Sequence, residues 1–91
     1  MNDYYREKDK TVSAYLLICK DIRFEGTSPV GEILYFNFSP KERAKKHAEQ
    51  FISKQATLIQ PKEYAEASQT ITDLIWRWRH SRDGGNYGRN T

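Results

Sequence analysis

Apolar residues alternate with polar ones in two short stretches of this chain and recur every three or four positions in three others. From Ile33 to Phe38, an extended chain puts Leu34, Phe36 and Phe38 on one face and Ile33, Tyr35 and Asn37 on the other. Asp21–Thr27 has the same period, with Ile22 and Phe24 opposite Asp21, Arg23 and Glu25. Between them, Gly26-Thr27-Ser28-Pro29-Val30-Gly31 is rich in turn formers, so the pattern predicts a hairpin over about 21–38 with a loose connecting loop. Asp3–Lys8 (DYYREK) sets two tyrosines in dense charge, as strands that resist edge-to-edge pairing do, and reads as an edge strand.

The helical period governs the rest. Val12, Tyr15, Leu16 and Cys19 share one face of a short helix over about 11–20, capped by Asp9 or Thr11 and apolar enough to be largely buried. Ser39-Pro40-Lys41-Glu42 has the form of a capping box with proline at the first helical position, opening a helix over about 40–56. Its stripe is Ala44, Ala48, Phe51 and Ile52. Thr57–Gln60 then makes a tight connection or a one-turn strand, with Leu58 or Ile59 filling the core. Pro61 starts a helix over about 61–82 whose stripe is Tyr64, Ala67, Ser68, Ile71, Leu74, Ile75 and Trp78. Asp83-Gly84-Gly85 stops it, and 83–91 reads as a disordered tail. The expected architecture is one α+β domain over 1–82: a small antiparallel sheet packed by a short helix and two long antiparallel helices.

Ninety-one residues suffice for one modest core, and the clear periodicity argues against disorder despite a charged fraction of 30%. A net charge of +3 is too mild to imply a partner, but its distribution is uneven. Residues 40–56 carry five basic and two acidic side chains, and 76–82 carry three basic and none acidic. If the long helices are antiparallel, Lys41, Arg43, Lys45 and Lys46 at the start of one lie near Arg77, Arg79 and Arg82 at the end of the other, giving a single positive pole. Arginines complement a helix C-terminus, whereas lysines in a first turn oppose the dipole there, so helix stability explains only the former. Trp76 stands about 140° around the helix from Ile71, at 100° per residue. It is covered by the N-terminal segment, stacked with Arg79 or in contact with a partner.

The remaining chemistry mostly excludes. Cys19 is the one cysteine and reads as a small buried hydrophobe. No thiol or carboxylate completes a metal set with His47 and His80, and no paired carboxylates, phosphate loop or nucleophile motif occurs, so neither enzyme activity nor a cofactor is expected. No stretch is long and apolar enough to enter a membrane, and no signal peptide is evident, so the expected compartment is the cytoplasm.

Three pieces of the chain resemble a family of small bacterial and phage proteins catalogued only as a domain of unknown function. Arg6–Leu17 (REKDKTVSAYLL) is similar to its Thr-Lys-Asp segment followed by Ala-Ala-Tyr-Leu, with Glu7 where the family has threonine and Ser13 where it has the first alanine. Tyr35-Phe36-Asn37-Phe38 is like its aromatic strand end, and Gln60–Leu74 is like its closing Pro-x-x-Tyr-x-x-Ala helix. The resemblance implies the same order of elements and brings no catalytic residue. Two functions follow as expectations. The first is a non-enzymatic protein meeting nucleic acid through the basic pole. The alternative is a protein-interaction module or homodimer, such as an accessory factor of a phage or mobile element, using Trp76 and the exposed sheet face.

Overall fold

The computed structural model describes residues 3–53 and 61–83. The elements are β1 (Tyr5–Glu7), α1 (Lys10–Ile18), β2 (Arg23–Val30), β3 (Ile33–Ser39), α2 (Lys41–Ile52) and α3 (Pro61–Asp83), an α+β fold with one antiparallel sheet in the order β1-β3-β2. The strand with the most apolar face is thus the central one. Tyr5 and Glu7 pair with Phe38 and Phe36 on one side, and Phe24 and Thr27 pair with the same two residues on the other. Leu34, Phe36 and Phe38 are buried under the helices with Val12, Leu16, Ala44, Ala48, Ala67 and Ile71.

The predicted hairpin loop is a correction. Gly26-Thr27-Ser28-Pro29-Val30 belongs to β2, and only Gly31-Glu32 turns. Three steps of β2, from Phe24 to Thr27, match two of β3, so Glu25-Gly26 hold a bulge. Gly26 enters it at φ +104 and Gly31 enters the turn at φ +61. Pro29 is tolerated because β2 is an edge strand with no further ladder to join. A Cβ at Gly26 would meet nothing within 4 Å, so Gly26→Ala tests backbone strain alone. We expect it to cost about 1–2 kcal/mol in urea unfolding.

The capping box does not form either. Ser39 ends β3 opposite Arg23, its peptide to Pro40 is cis, and its hydroxyl donates to the Glu25 carboxylate; Pro40 becomes the N-cap, with no side-chain cap. Sheet pairing has claimed the side chain that the local motif assigned to the helix. At α1 the local signal holds. Asp9 accepts from the N–H groups of Thr11 and Val12 at 2.8 and 3.0 Å, and residues 12–16 are all buried.

The third correction concerns the two long helices. Among the described residues α1 packs on both α2 and α3, whereas α2 and α3 make little direct contact. Tyr15 of α1 stacks on Phe51 of α2 at 4.7 Å, and Phe51 on Tyr64 of α3 at 6.4 Å, so one aromatic column ties the three helices together. The α3 stripe is buried or half-buried throughout, but Ile52, assigned to the α2 stripe, is exposed. Asp83, assigned to the tail, is the last residue of α3, whereas the expected extension of α2 to residue 56, the Leu58 or Ile59 plug and the rest of the tail, 84–91, lie outside the described residues.

Candidate functional site

Two groups of chemistry-bearing side chains stand at opposite ends of β3. At the Ser39 end, the first turns of α2 face the turn between α1 and β2. The His47 Nε2–H donates to both Asp21 carboxylate oxygens, at 3.0 and 3.1 Å, and Arg43 lies 3.8 Å from the same group. This bond holds the Asp21 carboxyl below its ordinary value of 3.8, with the nearby positive charges adding to it. The other imidazole nitrogen, Nδ1, is buried beside Tyr15 and has no hydrogen-bond partner among the described residues. The pair works as a tie between two segments. Because the folded Asp21 titrates lower than the unfolded residue, its contribution is present above about pH 3.8 and is lost as pH falls through the folded value. His47→Ala is expected to move the Asp21 titration, followed by carboxyl-carbon NMR, up toward 3.8 and to raise the pH of acid unfolding.

At the Ile33 end, the last turns of α3, the β1–α1 junction and the β2–β3 turn enclose a groove of about 520 Å³. Its apolar lining comes from Ile33, Leu34, Ile75 and Trp78, and its charged lining from Lys8, Lys10, Arg79 and Glu32. Thr72, Trp76 and His80 complete it. Helical geometry explains Trp76: Ile71 is fully buried, and a residue 140° away is turned out of the core, leaving Trp76 58% exposed. His80, one turn on, stacks against the indole with ring centroids 3.7 Å apart and planes 25° apart. Its Nδ1–H donates to the Trp76 carbonyl oxygen at 3.1 Å, since a carbonyl only accepts, and this bond helps to hold the imidazole in the stack. Trp76 shares the groove with Lys8 and Lys10 yet stays exposed, and its stacking partner is His80 in place of Arg79. Among the described residues Lys8, Lys10 and Arg79 are in no ion pair.

The structure does not join the two basic clusters. Lys41, Arg43, Lys45 and Lys46 follow Ser39, whereas Arg79 meets Ile33 and Leu34 in the groove. Six residue steps along β3, about 20 Å, separate those ends. Arg77 is exposed but does not line the groove. Of the residues singled out from sequence, Trp76 and Arg79 are therefore brought together, and Lys8, Lys10 and His80 join them. The i, i+4 spacing of Trp76 and His80 was a usable sign. Lys8 and Lys10 had none, because β1 pairing places them.

The other candidates are inert or structural. Burial pushes the Cys19 thiol up to about 11, and its S–H points at the Tyr15 carbonyl oxygen at 3.4 Å. Among the described residues no group of three or more His, Cys, Asp or Glu could hold a metal ion. No described helix is long and apolar enough to cross a membrane. No family model, curated protein or solved structure matches the chain.

Proposed function

We propose that this protein is a non-enzymatic, cofactor-free nucleic-acid-binding domain of the cytoplasm whose contact surface centres on the groove at the end of α3. The observation that carries the reading is the meeting of Lys8, Lys10 and Arg79, three cations in no ion pair among the described residues, with the exposed Trp76–His80 stack. Cations scattered on a surface are usually solvated, and an isolated exposed tryptophan needs no explanation. Together they suit a ligand that offers phosphates and planar rings at once. The cations Lys41, Lys45, Lys46 and Arg77, none of which lines the groove, add to the long-range attraction of a polyanion. Fluorescence anisotropy against random DNA and RNA tests the reading. Binding should weaken with salt at a log–log slope of about −2 for single strands, three phosphates at about 0.7 each. No binding at low salt, or binding insensitive to salt, counts against it.

A second reading, an interaction module or homodimer, is favoured by one observation. On the sheet face turned away from the helices, Val30 and Ile33 pair directly and are 50% and 40% exposed, with Tyr4 also exposed on the β1 side. Light scattering decides it: a chain that stays monomeric at high concentration, with unchanged partner capture by Trp76→Ala, removes this alternative.

A further inference from the structure

We infer that the groove seats an unpaired base of a single-stranded nucleic acid on the Trp76–His80 stack, with neighbouring phosphates held by Lys8, Lys10 and Arg79. This rests on the nucleic-acid reading above and adds the strand state and the seat of the base. The indole has one face against His80 at 3.7 Å, so the 58% exposure of Trp76 belongs to its other surface. That surface is preorganised by the stack and by the His80 bond to the Trp76 carbonyl, which lowers the ordering cost of binding. In a duplex the base faces are covered by their neighbours, and exposing one costs a few kcal/mol. An aromatic platform within a groove therefore selects a base that is already unstacked.

Charge placement points the same way. A helix that lies in a duplex groove needs a phosphate-tolerant outer surface, yet the exposed surface of α3 is mixed, with Glu63, Glu66 and Asp73 beside Lys62, Arg77 and Arg79. The groove's cations come instead from the β1–α1 junction and from α3, around the aromatic pair. Three cations over one carboxylate, Glu32, suit several phosphates of a strand better than a single mononucleotide.

The test uses the full chain with a labelled oligothymidylate, a duplex of equal length and a free mononucleotide as competitor. The single strand is expected to bind more tightly than the duplex and to quench indole fluorescence, including in a Trp78→Phe background. Trp76→Ala, at a position exposed enough to leave the fold intact, should weaken single-strand binding by about fivefold to about a hundredfold, Trp76→Phe should restore most of it, and duplex binding should be unchanged. Equal affinity for duplex and single strand with no effect of Trp76→Ala overturns this inference and leaves the broader reading standing. A mononucleotide that competes as well as the oligomer also overturns it, as does a purified protein partner whose binding needs Trp76 and is not displaced by oligomer. Failure to bind any nucleic acid at low salt overturns both.

Discussion

Replacing Phe36 with alanine is expected to lower the unfolding free energy by about 3–5 kcal/mol, read from urea unfolding by circular dichroism. Phe36 is fully buried at the middle of the central strand, paired to Glu7 on one side and Thr27 on the other. Phe24 packs near it with ring centroids 6.4 Å apart. Truncation removes the ring's transfer free energy and leaves a cavity that paired strands on both flanks cannot close. A chain of this size has a total stability of roughly 5–14 kcal/mol, so the variant should be strongly destabilised or unfolded. Ile52→Ala is the matched control. At 64% exposed it should change stability by less than about 0.5 kcal/mol. Equal effects at the two positions would refute the assignment of the core.

Reversing the groove charge in the Lys8→Glu, Lys10→Glu, Arg79→Glu variant is expected to lower single-strand affinity by about two to three orders of magnitude in 0.05 M salt. The size follows from counterion release: a slope of about −2 carried from 1 M down to 0.05 M is worth roughly 500-fold, and the variant loses all three contributing contacts. The salt slope should flatten in parallel. All three residues are exposed and outside any ion pair among the described residues, so the fold should survive the change. Lys45→Glu with Lys46→Glu is the informative comparison, because it reverses charge at two residues that do not line the groove. It should cost only the general attraction, within about tenfold. If that pair mattered as much as the groove residues, the contact surface would lie on α2.

The elements themselves were legible from residue patterns because burial follows period. Leu34, Phe36 and Phe38 alternate and are buried together, and the α3 stripe from Tyr64 to Trp78 is covered along its length. The same arithmetic takes Trp76 off that stripe, and packing leaves it 58% exposed. Local chemistry misled where a distant segment competed for the same atoms. Ser39 has the sequence of a helix cap, but pairing with Arg23 and the bond to Glu25 place it in the sheet. Gly26 has the sequence of a turn, but the register of β2 against β3 uses its positive φ for a bulge.

The candidate site shows the division most clearly. Residue order alone determined that Arg79 and Trp76 lie on the last turns of one helix, that His80 follows Trp76 by one turn, and that Ile33–Phe38 is a strand with one apolar face. Each of those properties depends on neighbours within a few residues. That Lys8 and Lys10 join them, and that Lys41, Arg43, Lys45 and Lys46 do not, was decided only in three dimensions. β1 pairs with β3, and α1 packs against both α2 and α3, so the basic start of α2 is left at the far end of the strand. Those placements come from packing one apolar core among six elements, a global balance that no window of the chain contains.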